Sequence, residues 1–84
     1  MIEDITFVLR GKIRKQVMFK LDKPRTPNQL AKEINTHLPT ISRAIKALLD
    51  KKLVKCLNPN DANYKLYALT DLGRFTLEEI KKHY

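Results

Sequence analysis

A chain of 84 residues can bury only a modest core, so we expect one domain spanning residues 1–84 and no separate ligand-sensing domain. Seventeen lysines and arginines against nine acidic residues give a net charge of +8, which favours a polyanionic partner. The single cysteine, the lack of a membrane-length apolar run and the acidic N-terminus exclude secreted and membrane proteins, so we expect a cytoplasmic protein.

The first predicted helix begins near Gly11 and ends before Pro24. Its apolar residues recur at helical spacing, at Ile13, Val17, Met18 and Leu21. A further apolar piece over residues 5–9 precedes it. This piece either continues into the helix or precedes it as a separate turn. Gly11 favours a break between the piece and the helix.

Residues 26–35 carry the signals of a short, well-capped helix. Thr26 suits the N-cap, Pro27 fits the first helical position, and Gln29 completes a capping box. Asn35 stands where this helix must end, because asparagine tolerates the left-handed conformation found at helix C-termini.

A longer helix is predicted over about residues 38–52, after a turn of about three residues. Its apolar side holds Leu38, Ile41, Ala44, Ile45, Leu48 and Leu49. Its outward side holds Pro39, Arg43, Lys46, Ala47 and Asp50, with Thr40 and Ser42 on the flanks. Any amphipathic surface helix has a polar side, but a capped helix and tight turn before it are typical of a helix-turn-helix. The second helix of that motif enters the DNA major groove.

Two short strands and a final helix are predicted after residue 52. Residues 53–57 and 64–69 are strand-like, and the Asn- and Pro-rich run 58–63 between them is typical of a turn. We expect a hairpin of about five residues a side. Thr70 then caps the last helix.

This order of elements resembles the winged helix-turn-helix domain, and more narrowly the small MarR- and ArsR-like transcriptional regulators of prokaryotes, archaeal ones included. The resemblance is carried by T-P-N-Q-L-A-K-E-I, P-T-I-S-R-A-I-K-A-L, K-K-L-V-K and Y-A-L-T-D-L-G. It implies a mainly helical α+β fold with a three-helix core, a β-hairpin wing and a C-terminal helix. It also implies a sequence-specific regulator that binds double-stranded DNA, with the wing, about residues 54–69, near an adjacent groove.

The start of the recognition helix holds the expected base-reading residues. We expect Thr40, Ser42 and Arg43 to contact base edges, because arginine can bind guanine through two hydrogen bonds. Pro39 and Lys46 lie beside them on the same surface.

Further DNA contacts are expected outside this helix. Asn28 and the start of its helix can hold a phosphate. His37 in the turn either binds a phosphate, caps the next helix or is simply exposed. The wing tip is neutral where such regulators often carry Arg or Lys, so we expect weak polar contacts from Asn60, Asn63 and Lys65.

No catalytic, cofactor or metal site is predicted. The sequence offers no nucleophile with a paired base, and its two glycines exclude a Gly-rich cofactor loop. The cysteine-rich metal motif of ArsR-like sensors is absent. Cys56 stands alone in a strand, where a small apolar filler is a more common role than redox or metal chemistry.

The two ends of the chain carry surplus apolar surface. In the last helix Leu72, Phe75, Leu77, Ile80 and Tyr84 spread over roughly 200°, more than one small core requires. We expect a homodimer joined through the N-terminal segment and the C-terminal helix, with recognition helices about 34 Å apart. Alternatively, the two ends pack on each other within a monomer.

Other functions remain open from the residues alone. A non-specific or architectural DNA-binding protein would use the same cations without reading bases, and a winged helix can also serve as a protein-interaction module. Arg43 and Lys46 argue against the latter. A reader of left-handed duplexes is disfavoured because the recognition helix carries no aromatic residue.

Overall fold

The computed structural model describes residues 2–84, which form five helices and one β-hairpin. The helices before the hairpin are α1 (Ile2–Arg10), α2 (Lys12–Lys20), α3 (Pro27–Ile34) and α4 (Leu38–Asp50). The hairpin pairs β1 (Val54–Cys56) with β2 (Tyr67–Leu69), and α5 (Asp71–His83) follows. This is the predicted order, and the open question at the N-terminus is resolved in favour of a separate helix.

Gly11 separates α1 from α2 because its backbone is extended, with φ −110° and ψ 109°. A β-carbon at Gly11 would overlap Nε of Arg14, whose side chain crosses the junction. The guanidinium carbon of Arg14 lies 4.0 Å from the ring centroid of Phe7, which links the two helices by a cation–π contact.

The caps predicted for α3 are confirmed. Thr26 Oγ1 accepts a hydrogen bond from the Gln29 amide at 3.2 Å, and Gln29 Oε1 accepts one from the Thr26 amide at 2.8 Å. Asn35 adopts the left-handed conformation at φ 62° and ends the helix. These contacts are local in sequence, which is why the residue pattern predicts them.

The recognition helix α4 ends two residues earlier than predicted, at Asp50 rather than at about residue 52. Lys52 has φ 60° and turns the chain into β1. The core-facing residues of α4 are Ile41, Ala44, Ile45 and Leu48. Leu38, assigned to the apolar side from the sequence, is instead 41% exposed.

The hairpin is shorter than predicted, with three residues a side instead of about five. Its ladder ends early because the Asn58 side chain bonds the facing backbone, accepting from the Leu66 amide at 2.6 Å and donating to the Tyr64 carbonyl at 2.7 Å. An additional bridge, not predicted, joins Arg25 to Tyr67 through two backbone hydrogen bonds of 3.0 Å. The loop before α3 is thereby fixed to the wing.

One hydrophobic core holds these elements together. Its buried residues are Val8, Val17, Met18, Leu21, Leu30, Ile41, Ala44, Ile45, Leu48, Leu53, Val54, Leu69, Leu77 and Ile80. Helices α1 and α5 contact each other, so the two ends of the chain do pack together within a single chain. Ile2, Leu72, Phe75 and Tyr84 nevertheless remain exposed. Within residues 2–84, no helix has both the length and the apolar character needed to cross a membrane.

Candidate nucleic-acid interface

The outward face of α4 is open to solvent along its first two turns. Pro39, Ser42, Arg43 and Lys46 are exposed, and Thr40 is half-buried. Among the described residues, no side chain forms a hydrogen bond or ion pair with Ser42, Arg43 or Lys46. The fold therefore leaves these donors available to an external ligand.

A cleft of about 300 Å³, here called the wing cleft, lies where α3, α4 and the wing meet. Its lining residues are Thr26, Pro27, Asn28, Leu38, Ser42, Asn63, Tyr64, Lys65 and Tyr67. Four of the predicted site residues thus come together here, namely Asn28, Ser42, Asn63 and Lys65. Asn60 is exposed on the wing but does not line the cleft.

A second groove, here called the α2 groove, runs along the other side of the recognition helix. It brings Thr40 and Arg43 beside Lys12 and Arg14 at the start of α2. Neither Lys12 nor Arg14 is among the expected DNA-binding residues, since a phosphate contact and a solvated helix face were equally expected for Lys12. The run of cations between residues 10 and 25 was the available signal, but helical periodicity alone does not show which of them face α4.

The start of α3 retains one free backbone donor. Pro27 has no amide hydrogen, and the Gln29 amide donates to Thr26 in the capping box. Within the described chain the Asn28 amide has no acceptor, and its side chain is exposed at the wing cleft. A free amide at a helix N-terminus beside a polar side chain suits a phosphate oxygen.

His37 lies exposed at the N-cap of α4, but its side chain makes no capping hydrogen bond. The helix start is held instead by the His37 carbonyl oxygen, which accepts from the amides of Thr40 and Ile41 at 3.0 and 3.2 Å. The suggestion that the imidazole caps the helix is therefore wrong. Of the three roles expected for His37, a phosphate contact and plain solvent exposure remain.

The wing loop is shaped by two side chains near its tip. Besides the Asn58 bonds described above, Asp61 accepts hydrogen bonds from the Asn63 and Tyr64 amides at 2.8 and 3.0 Å. The bonds from Tyr64 and Asn63 lower the pKa of the Asp61 carboxyl below its ordinary value of 3.8. The ionised carboxylate thus holds the segment that carries Asn63 and Tyr64 into the wing cleft.

Other titratable groups are engaged elsewhere. Arg25 pairs with Glu33 and with Asp22, and it also donates to the Lys20 carbonyl oxygen at 2.7 Å. The Cys56 thiol is half-buried and donates to Asn58 Oδ1 at 3.6 Å. In the part of the chain that the structure describes, no group of three or more His, Cys, Asp or Glu residues is arranged to hold a metal ion.

Known proteins resemble this chain in sequence. Residues 2–83 match the family described as methanogenesis regulatory protein FilR1, N-terminal domain. The uncharacterized HTH-type transcriptional regulator YdgG of Bacillus subtilis (strain 168) is 36% identical over 66 residues, which cover 75% of this chain and 43% of YdgG. The HTH-type transcriptional regulator TcaR of Staphylococcus aureus (strain Newman) is 39% identical over 59 residues, covering 67% of this chain and 39% of TcaR. The chain thus spans less than half the length of these relatives.

Solved structures share the fold. RV1404 from Mycobacterium tuberculosis superimposes with a TM-score of 0.79 at 21% identity, over 96% of this chain and 59% of RV1404. Apo MarR from E. coli superimposes with a TM-score of 0.76 at 27% identity, over 86% of this chain and 56% of MarR. ZitR from Lactococcus lactis, in complex with DNA, superimposes with a TM-score of 0.74 at 20% identity, over 84% of this chain and 50% of ZitR. The predicted MarR-like winged helix-turn-helix fold is confirmed, and the chain belongs to the family of the FilR1 N-terminal domain.

Proposed function

We propose that this chain is a sequence-specific double-stranded-DNA-binding domain of a transcriptional regulator, with α4 in the major groove. The observation that carries the proposal is the open face of α4, where Ser42, Arg43 and Lys46 are exposed and their side chains have no partner within residues 2–84. Residues 1–84 act as one DNA-binding unit in this proposal. A protein that binds chromosomal DNA in a prokaryote works in the cytoplasm.

The roles of the side chains follow from their chemistry. Thr40, Ser42 and Arg43 contact base edges, and the planar guanidinium of Arg43 suits the two acceptors of guanine in the major groove. Pro39 lets the helix approach closely because it is short and carries no donor. Lys46, one turn beyond Ser42, contacts the phosphate backbone.

The two grooves beside α4 suit the DNA backbone. On one side, Asn28 holds a phosphate with its amide and side chain, while Asn63 and Lys65 contact the backbone from the wing. On the other side, Lys12 and Arg14 supply cations next to Arg43. His37 and Asn60 lie exposed at the edges of this surface, where they contribute weaker contacts.

The exposed apolar residues at the chain ends support a homodimer. Ile2, Leu72, Phe75 and Tyr84 remain uncovered although α1 and α5 already pack together. A symmetric pair joined through these helices would place two recognition helices about 34 Å apart, on successive major grooves of one duplex face. Such a dimer binds an inverted repeat.

A selection on random duplexes at a fixed salt concentration tests the proposed function. Recovery of one sequence motif supports the regulator. Retention of duplexes without a motif would instead identify an architectural DNA-binding protein, and a lack of binding at low salt would leave a protein-interaction module. The double variant Arg43→Ala with Lys46→Ala serves as the control, because it removes two exposed cations of α4. It should bind more weakly and recover a motif that has lost the base read by Arg43.

A further inference from the structure

Leu38 occupies an unusual position for a leucine in a small protein with a limited core. It is the first residue of α4, and 41% of its surface is exposed although the helix pattern places it on the apolar side. Its side chain lines the wing cleft together with Ser42, one helical turn further along. Leu38 therefore presents apolar surface towards the site instead of completing the core.

The surroundings of Leu38 indicate what can cover it. Asn28, Asn63 and Lys65 line the same cleft and offer polar or cationic groups suited to a nucleic acid. The N-terminal residues of a recognition helix are those that reach base edges in the major groove. The apolar surface of Leu38 thus lies beside groups suited to the DNA backbone, at the end of the helix that is proposed to reach the bases.

Thymine is the only base whose major-groove edge carries a methyl group. Adenine and guanine present hydrogen-bonding groups there, and these would lose water against a leucine without gaining a hydrogen bond. Cytosine presents an amino donor and only a C5–H in place of the methyl group, so it offers less apolar surface than thymine. Of the four bases, thymine is therefore the one that fits beside Leu38.

We propose that Leu38 is a specificity-determining residue that contacts the 5-methyl group of a thymine, next to the base that Ser42 reads. The inference rests on the proposed function and adds to it one base of the target sequence. In a dimer, the thymine occurs once in each half-site.

The test uses a duplex with the motif recovered by selection, in which each thymine in turn is replaced by deoxyuridine. This change deletes only the methyl group and leaves base pairing intact. We expect one thymine in each half-site at which the parent protein binds about fourfold more weakly after replacement, the factor that corresponds to burial of one methyl group. The Leu38→Ala variant should bind the thymine and uracil duplexes equally at that position.

Two further variants separate this contact from a general effect on folding. Leu38→Met keeps an apolar side chain of similar volume and should retain the preference for thymine. Phe19→Ala removes an apolar side chain that is 39% exposed on α2, outside the wing cleft, and should leave the thymine-to-uracil ratio unchanged. The ratio of the affinities for the thymine and uracil duplexes is insensitive to modest losses of protein stability, because the same protein sample binds both duplexes.

Several results would overturn the inference. A motif without thymine, or a motif in which no single methyl deletion weakens binding, removes this contact while leaving the proposed function intact. If the Leu38→Ala variant keeps the parent's full preference for thymine over uracil, another residue contacts the methyl group. If the selection recovers no motif at all, the proposed function fails and this inference fails with it.

Discussion

Gly73, in the first turn of α5, lies directly against the backbone carbonyl of Leu53 at the start of the wing. A β-carbon at Gly73 would overlap the Leu53 carbonyl oxygen and lie 2.9 Å from its carbonyl carbon. The same oxygen accepts a hydrogen bond from the Thr70 amide at 3.1 Å, and the Thr70 hydroxyl donates to the Lys52 carbonyl at 2.6 Å. Backbone contacts thus fix the C-terminal helix to the turn between the recognition helix and the wing.

Substitution of Gly73 should therefore destabilise the domain. We expect Gly73→Ala to lower the free energy of unfolding by about 1–3 kcal/mol, because the new methyl group meets backbone that cannot move without shifting β1. This cost exceeds the gain of roughly 0.5–1 kcal/mol that alanine brings to a helix interior. Urea denaturation followed by circular dichroism measures the difference.

Gly11→Ala is the matched control for this prediction. The atoms nearest to a β-carbon at Gly11 all belong to the side chain of Arg14, which can rotate away, and the φ of −110° at Gly11 is open to alanine. We expect a change of less than about 1 kcal/mol for Gly11→Ala, limited to the loss of the cation–π contact between the half-buried Arg14 and Phe7. Equal unfolding midpoints for Gly73→Ala and the parent would contradict the close approach of Gly73 to Leu53.

The parts of the fold that the sequence predicts well depend on contacts within one helical turn. The capping box of Thr26 and Gln29 and the left-handed Asn35 are of this kind, since each involves residues at most four positions apart. The amphipathic pattern of α4 likewise predicts its buried residues from Ile41 onward. Local chemistry is sufficient for these features.

The features that the sequence did not predict depend on distant neighbours. The hairpin is short because Asn58 bonds to Leu66 and Tyr64 across the loop, which composition alone does not reveal. Leu38 is exposed because the first turn of α4 borders the open wing cleft instead of the core. The wing cleft joins Asn28 to Asn63, two residues far apart in sequence that only the tertiary fold brings together.

Arg43 offers the most direct test of the reading face. We expect Arg43→Ala to weaken binding to the selected motif by about 1–3 kcal/mol and to relax the base preference at one position of each half-site. The reason is the loss of a two-bond contact to guanine. Fluorescence anisotropy with the motif and with single-base variants measures both effects.

Arg74→Ala provides a charge-matched control for Arg43→Ala. Arg74 is exposed on α5 and lines neither the wing cleft nor the α2 groove. We expect the Arg74→Ala variant to retain the base preference of the parent protein. If Arg43→Ala bound every duplex as tightly as the parent, the assignment of α4 as the reading helix would be wrong.

The exposed cations predict that the affinity for DNA depends steeply on salt concentration. If a dimer neutralises about six to ten phosphates, affinity should fall by roughly 10³ to 10⁵ between about 50 and 200 mM salt. Lys46→Ala should reduce the slope of the logarithmic plot by about one per protomer without changing base preference, because a phosphate contact carries no sequence information. A slope that is unchanged in Lys46→Ala would place this lysine away from the DNA backbone.

Asp61 makes the order of the wing depend on pH. Because its folded-state pKa lies below 3.8, its contribution is fully present above 3.8 and is lost as the pH falls through the lower folded value. We expect the Asp61 carboxyl to titrate with a midpoint below 3.8 in a carbon-detected NMR experiment. In Asp61→Ala the Asn63 and Tyr64 amides should exchange faster, whereas the Leu57 amide, bonded to the Leu66 carbonyl at 2.8 Å, should not. An Asp61 midpoint at or above 3.8 would contradict these hydrogen bonds.

The proposed dimer predicts a specific effect of charge at the chain ends. Phe75 is 46% exposed on α5, close in sequence to the exposed Leu72, and a carboxylate there would lose its hydration on association. We expect the parent to scatter light as a particle of about twice the 9.8 kDa chain mass, and Phe75→Glu to scatter as a single chain.

Leu57→Glu is the control for the dimer, because Leu57 is equally exposed at 46% but lies on the wing, away from the chain ends. It should leave the dimer intact. Since a symmetric dimer binds two half-sites, Phe75→Glu should bind the full inverted repeat no more tightly than one half-site, while each domain keeps its base preference. A parent protein that remains a single chain at high concentration would show that the apolar residues of α1 and α5 serve only the contact between those helices within one protomer.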